Sequence, residues 1–278
     1  MRLAVCSWSL APATPAALVD ALGRTGLRAV QLALDPIREG AWDLAETRET
    51  LAAAEVSILS GMMKMAGEDY STLETIRVSG GVRPDEQWEA NRAAAEENAR
   101  IAAALELPLV TFHAGFIPHD DEALRETMVE RLRTLADIFA AAGVKVAFET
   151  GQETAETLLD ALRELDRPEV GVNFDPANMI LYGMGDPIDA VRRLAPRIAQ
   201  VHVKDAKPSA VAGEWGTEVV AGSGVVDWNR FLGIVANLER SVDLIIEREA
   251  GDERALDIRT AHALVRQTLD DLGEELTP

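Results

Sequence analysis

The amino-acid sequence predicts a single (β/α)8 TIM barrel, and three observations carry that prediction. Short β-branched or apolar runs alternate eight times with longer stretches whose apolar residues recur at helical spacing. Such alternation implies parallel strands joined by crossover helices. Spread over 278 residues it gives about 35 residues per unit, close to the size of an eightfold barrel. Neither a G-x-G-x-x-G turn nor a Walker phosphate loop is present to favour an open, doubly wound sheet. One domain spanning residues 1–278 is therefore expected.

The first strand is predicted over residues 2–8. Its segment, MRLAVCSWSLAPA, shares one Arg, a short apolar stretch and a small-residue tail with secretory signals. Ser7 and Ser9 interrupt the apolar stretch, and the regular alternation that follows favours a core strand. Further strands are predicted over 28–34, 56–61, 108–113, 144–149, 170–175, 198–204 and 242–249. The clearest helix follows Asp120 and Asp121, which can cap it. It carries Leu124, Met128, Leu132, Leu135 and Phe139 on one stripe and stops at Gly143. The last helix repeats the stripe through Ile258, His262, Val265, Leu269 and Leu272, which makes His262 a structural residue.

Two connections are long, 62–84 after the third strand and 205–226 after the seventh. Both read as structureless lids leaving the carboxyl ends of strands, where barrels place their sites. Met62, Met63 and Met65 lead the first, either as an adaptable cover over a ligand or as core packing. Gly222, Ser223 and Gly224 in the second read as a tight turn, with a phosphate-binding set of amides as the alternative.

Composition narrows the function classes. With 27 basic and 47 acidic side chains the net charge is −20, which opposes sequence-independent binding to nucleic acid or an anionic membrane. No apolar run approaches the length of a membrane span. Cys6 is the only cysteine, so it makes no internal disulfide; it fits a reducing, cytoplasmic setting and reads as a small buried side chain. Association of exposed helices into a homodimer is expected, as is common for barrels.

Four strands end in a residue able to bind a hard or borderline metal: Glu149, Asp175, His202 and Glu247. Strand alternation puts Gln200, His202 and Lys204 on one face and Val201 and Val203 on the other. Valines should face the helices, leaving the polar set inside. The same parity turns Val146 and Phe148 outward and leaves Ala147 and Glu149 for the interior. Burying these groups together is costly unless a cation compensates them. Oxygen-rich ligation with one nitrogen suits Mn, Mg or Co, and Zn less well. A six-coordinate ion keeps about two positions for substrate oxygens.

Other candidates surround this set. His113 ends the fourth strand, placed to reach a substrate or to sit satisfied in the core. Trp8 ends the first strand and either stacks on a sugar face or packs. Lys204 either contacts a substrate oxygen or pairs with Asp205. Glu249 shares the parity of Glu247 and rivals it. Arg248, on the opposite parity, is a candidate anchor for substrate or for Glu149. His119 precedes a helix and reads as solvated.

NFDPAN at 173–178, YGMGDPIDAVRRLAPRIAQVHVKD at 182–205, GSGVVDWNRFL at 222–232 and the closing IIERE resemble the sugar phosphate isomerase and epimerase family, the xylose-isomerase-like barrels. The resemblance runs from the first strand to the eighth and implies one divalent cation held by Glu149, Asp175, His202 and Glu247. It further implies proton transfer beside the carbonyl of a small sugar or keto-sugar, with Glu149 and Glu247 as a base and acid pair and His113 touching substrate. Three departures stand out. Asn178 replaces a His found in many relatives, Gln31 replaces a Glu, and Lys207 and Pro208 stand where ketose 3-epimerases often have an Arg. Dehydration of a keto-inositol on the same site is the nearest alternative. An endonuclease-related barrel is opposed by the net charge, and a non-catalytic sugar-binding barrel is the remaining reading.

Overall fold

Among the described residues, ten strands follow one another. They are β1 (Leu3–Cys6), β2 (Ala29–Ala33), β3 (Ser57–Met62), β4 (Leu109–Phe112), β5 (Lys145–Glu149), β6 (Gly171–Phe174), β7 (Ile198–Val203), β8 (Asp205–Lys207), β9 (Thr217–Val219) and β10 (Asp243–Ile246). Eight of them form a closed, all-parallel barrel in the order β1-β10-β7-β6-β5-β4-β3-β2, while β8 and β9 make a separate antiparallel hairpin. Pairing of Val5 with both Ile246 and Val30 closes the ring, so the barrel itself has no edge strand. The computed structural model describes residues 1–211 and 213–277. Among these, no helix is long and apolar enough to cross a membrane.

Local sequence explains the helices between the strands. Thr14, Asp43, Thr154 and Asp227 each accept a first-turn amide at a helix start. Of the two aspartates before Glu122–Ala141 it is Asp121 that caps, through Leu124 N. The stripe that follows buries Met128, Leu132, Leu135 and Phe139 against the sheet. Val146, Phe148, Val201 and Val203 join this outer core, as strand parity requires. Inside the barrel, Ala4, Cys6, Ala33, Leu59, Met62 and Ile245 form a smaller apolar cluster.

Several expectations are corrected by the fold. Strand β1 ends at Cys6, because Ser7–Leu10 turns into one helical turn that closes at Ala11 with φ +43°. Trp8 therefore sits on that turn rather than on a strand. The long connections are folded: 62–84 contains the helix Leu73–Ser79, started by a capping box at Thr72, and 205–226 contains the β8–β9 hairpin. Met62 ends β3, and Met62, Met63 and Met65 are all buried, so none is a loose cover.

The Gly222–Gly224 amides are aimed at a protein carboxylate. Asp205 Oδ2 accepts from Gly222 N (2.8 Å), Gly224 N (3.1 Å) and Trp228 Nε1 (3.1 Å), filling the place a phosphate would take. A Cβ at position 224 would lie 1.9 Å from Asp205 Oδ1, so only glycine fits. Asp205 is thus the hub of this loop and makes no pair with Lys204. His119 is exposed, and His262 lies at the amino-terminal end of the barrel, away from the strand ends that carry the candidate ligands.

Glu153, between β5 and the helix Ala155–Leu165, is buried, and its Oε1 has no hydrogen-bond partner. Burial pushes its carboxyl up to about 8. A raised carboxyl pKa favours the folded state below the unfolded value and loses that contribution as pH rises towards the folded value. Wild-type protein should thus lose stability between about pH 4.5 and pH 8. Glu153→Gln should raise the melting temperature at pH 8.5 by several degrees and change it little at pH 5. Equal shifts at both pH values in a scanning-calorimetry series would refute this assignment.

Candidate active site

The carboxyl ends of β5, β6, β7 and β10 bring Glu149, Asp175, His202 and Glu247 together. One donor atom from each lies within 4.8 Å of the others, and all four residues are buried. His202 Nδ1 stands 3.4 Å from Glu149 Oε1, 3.7 Å from Asp175 Oδ2 and 3.3 Å from Glu247 Oε2. Donors bonded to one ion at about 2.0–2.4 Å stand roughly 3–4.8 Å apart, so the set has the span of a single coordination sphere.

Each of these side chains is aimed by its surroundings. Asp175 caps the helix Pro176–Tyr182 through Oδ1, which accepts from Ala177 N (2.7 Å) and Asn178 N (3.0 Å). Its Oδ2 is left buried without a partner, facing His202. The imidazole is held from behind. Gln31 Nε2 donates to Thr111 Oγ1 (2.9 Å), which leaves Gln31 Oε1, 2.9 Å from His202 Nε2, as an acceptor. His202 Nε2 thus sits between Gln31 Oε1 and Asn173 Nδ2 (3.0 Å), which leaves Nδ1, without a hydrogen-bond partner, facing the carboxylates. Pairing registers shift at Val30/Gln31 and at Val172/Asn173, the two places that bring Gln31 and Asn173 up to this ring.

The two glutamates differ in their partners. Glu149 accepts from Asn173 Nδ2 (3.2 Å) and Asn178 Nδ2 (2.8 Å), and His113 Nε2 lies 3.7 Å away. Glu247 accepts from Lys204 Nζ (2.9 Å), and the Cys6 thiol lies 3.5 Å from its other oxygen. Burial opposes ionisation of both. His202 and His113 outweigh it at Glu149, and Lys204 and His202 hold Glu247 well below the usual carboxylate range. At Asp175 burial wins and pushes the carboxyl up. Burial also opposes charge on His202, but Glu149 and Glu247 outweigh it and lift the imidazole well above its ordinary value.

Around these groups opens a cavity of about 510 Å³. Trp8, His113, Asn178 and Lys204 line it, and so does Glu249, whose exposed carboxylate binds Lys204 Nζ from the rim instead of joining the four. Arg248 turns away: its guanidinium pairs with Glu218 (2.6 Å) and Asp257 (2.8 Å) and reaches neither the cavity wall nor Glu149. Glu218 also accepts from Glu249 N and Ala250 N, so it latches the hairpin to the segment after β10. Sequence reasoning passed over Glu68, Tyr70, Tyr182 and Trp215, which complete the wall. A larger cavity, about 740 Å³, lies between Arg2, Arg28 and Arg266 at the opposite end of the barrel and contains none of the four converging residues.

A family model described as "Xylose isomerase-like TIM barrel" matches residues 19–268. The chain belongs to this family. Among solved structures, it is similar to a xylose isomerase domain protein from Planctomyces limnophilus, at 28% identity and TM-score 0.86 over 92% of this chain and 93% of that one. It shares the fold of a family protein from Mycobacterium smegmatis in complex with magnesium, at 17% identity and TM-score 0.73 over 97% of each chain. It likewise shares the fold of D-psicose 3-epimerase from Clostridium cellulolyticum H10 in complex with D-tagatose, at 16% identity and TM-score 0.72 over 97% and 99%. No curated protein matches the sequence. Proteins that share its fold thus include a sugar epimerase, and this chain carries a buried Glu, Asp, His and Glu cluster able to hold a metal ion.

The donor chemistry fits a divalent cation. Two buried polar atoms, His202 Nδ1 and Asp175 Oδ2, lack hydrogen-bond partners yet face each other across the cluster. Three carboxylate oxygens and one imidazole nitrogen form a hard set with one borderline member.

A cation would compete with a proton at His202 Nδ1, whose basicity the carboxylates raise. Metal affinity should fall as pH drops, and binding at neutral pH should release about one proton. Titration calorimetry with Mn²⁺ in two buffers of different ionisation enthalpy measures that release; zero release, with no pH dependence of affinity, would contradict the ligand assignment.

Proposed function

We propose that the chain is a divalent-metal-dependent isomerase or epimerase that moves a proton beside the carbonyl of a small sugar or keto-sugar. The observation that carries this reading is the convergence of two buried glutamates, both lining the cavity, with the buried Asp175 and His202 behind them. Glu149, Asp175, His202 and Glu247 would hold the ion, with Mn, Mg or Co the best match to the donors. When bound, a divalent cation supplies Lewis-acid polarisation of a carbonyl oxygen and neutralises the charge left as the adjacent proton departs.

The chain's own residues supply the rest. Glu149 and Glu247 serve as the proton-transfer pair, one removing the proton and the other returning one. Their depressed pKa values keep the resting pair as carboxylates, so one takes the substrate proton while the other returns a proton it has first accepted from solvent. Asn178 bridges the two halves, donating to Glu149 and accepting from Lys204 Nζ at 3.3 Å, so it fixes the spacing of the pair. Where many relatives have a titrating His, this amide holds geometry and carries no proton. His113 stands beside Glu149 on the cavity wall, placed to hydrogen-bond an oxygen of a bound sugar. Trp8 offers an aromatic face to the sugar ring. Arg248 anchors the hairpin and takes no part in binding.

The acidic cavity opposes phosphodiester substrates, which disfavours endonuclease chemistry. Removing a proton beside a carbonyl also prepares loss of a β-hydroxyl, so a dehydratase would share these residues. Product analysis separates the two outcomes, an epimerised or isomerised sugar against release of water.

Two predictions follow from the assignment of the glutamates and the ion. In deuterated water, metal-loaded protein should exchange the proton beside the carbonyl of a ketose. Glu149→Gln and Glu247→Gln should each slow that exchange by about 10²–10⁴-fold with an unchanged circular-dichroism spectrum. Chelation should abolish exchange and added Mn²⁺, Mg²⁺ or Co²⁺ restore it. Exchange that persists in both variants, or at full chelation, would sink the reading.

A further inference from the structure

We propose that Glu68 determines substrate specificity in this cavity: it accepts a hydrogen bond from a free hydroxyl at the end of the sugar not held by the four converging residues, and it bars sugars phosphorylated there. The inference rests on the sugar-processing reading above and names its substrate class, an unphosphorylated polyhydroxy ketone.

Glu68 belongs to the segment between β3 and the helix Leu73–Ser79, and it lines the same cavity as Glu149, Lys204 and Glu247. It stands outside the group of four donors. Its carboxylate is fixed from two sides, with Oε1 accepting from Gly81 N (3.0 Å) and Oε2 from the Tyr70 hydroxyl (3.2 Å). A carboxylate has about four lone-pair sites, so each oxygen keeps capacity for a further donor. Gly81 has φ +64°, and a Cβ there would lie 2.1 Å from Ala114 O. The amide that orients Glu68 is therefore delivered by a backbone approach that only glycine permits. Tyr70, which supplies the second tether, also lines the cavity.

Charge bookkeeping of the wall sets the sign of the selectivity. The carboxyl and ammonium side chains lining the cavity are Glu68, Glu149, Glu247 and Glu249 against Lys64 and Lys204, and no arginine is among them. Both lysines are engaged: Lys204 Nζ binds Glu247 and Glu249, and Lys64 Nζ lies 3.4 Å from Glu39. Recognition of a phosphate uses arginine forks, free ammonium groups or convergent amides. The convergent amides of this face, at Gly222 and Gly224, already hold Asp205. A phosphate placed near Glu68 would meet like charge, with Lys204 held by Glu247 and Glu249 and Lys64 in an exposed pair with Glu39, whereas a hydroxyl would find a half-buried carboxylate that accepts its hydrogen bond.

D-Fructose and D-fructose 6-phosphate serve as probes of the metal-loaded protein, with solvent deuterium exchange giving kcat and KM and calorimetry giving the affinity of each sugar. Wild type should favour the free sugar by at least 100-fold in kcat/KM and bind it more tightly. Glu68→Gln, which keeps shape but loses charge, should raise KM for the free sugar about tenfold, hold kcat within about threefold, and narrow the preference at least tenfold. Glu68→Asp keeps the charge and should retain most of the preference, which separates this role from a merely structural one. A wild type that exchanges the free sugar while Glu68→Gln matches it in KM, affinity and preference overturns the inference alone. So does a wild type that favours the phosphorylated sugar. A wild type that neither binds nor exchanges either sugar overturns the sugar-processing reading, and this inference with it.

Discussion

Three carboxylates and an imidazole are buried within a few ångströms of one another, and their mutual repulsion and lost hydration are the constraint around which the rest of this barrel is arranged. Positive charge answers it in part through Lys204, itself buried, which burial alone would discharge. Glu247 and Glu249 outweigh that burial and hold it charged. Amide side chains answer the remainder. Asn173 and Asn178 both donate to Glu149, and a chain from Ser60 through Gln200 to Asn173 supports them from below. Four polar side chains inside a barrel would ordinarily weaken it. Here each finds a partner, and together they fix the orientation of the groups above.

Above that ring the cavity wall is built from folded segments rather than open loops. Asp205 gathers four donors from the stretch that follows the hairpin, including the Val226 amide at 3.2 Å, so one carboxylate sets the path of the chain from β9 to the helix Trp228–Ala236. Glu218 and Arg248 fasten the hairpin to the segment after β10. Trp215, carried between β8 and β9, meets Tyr182 edge-on with ring centroids 4.8 Å apart, and Gly151 lets the β5 loop approach Asn178 closely enough to seal the same side. A wall pinned in this way holds its lining side chains in place without a loose lid.

Most of the architecture was legible in the sequence because it rests on local periodicity. The eightfold alternation located all eight barrel strands to within a few residues, and the parity of valines on β7 put His202 inside. The four converging residues were visible for the same reason: each terminates a strand, and all strand ends of a parallel barrel meet at one rim. Properties that depend on long-range partners were not legible. Arg248 looked free because Glu218, its partner, lies 30 residues away on a hairpin that reads as loop. Lys204 and Asp205 are neighbours of opposite charge, yet successive residues of an extended chain point apart, and each found its partners elsewhere. Glu68 carried no signal, since an acidic residue in an acidic chain stands out only when the Gly81 amide and the Tyr70 hydroxyl are seen converging on it.

Asp175 gives its two oxygens to different tasks: one begins a helix, the other faces His202. The first turn of Pro176–Tyr182 and the mouth of the barrel therefore share a single hinge point. The helix so begun carries Asn178 and Tyr182, both on the cavity wall, so the cap and the central cluster place part of that wall together. In this barrel, a substitution at position 175 would therefore unsettle a helix start and the central cluster at once.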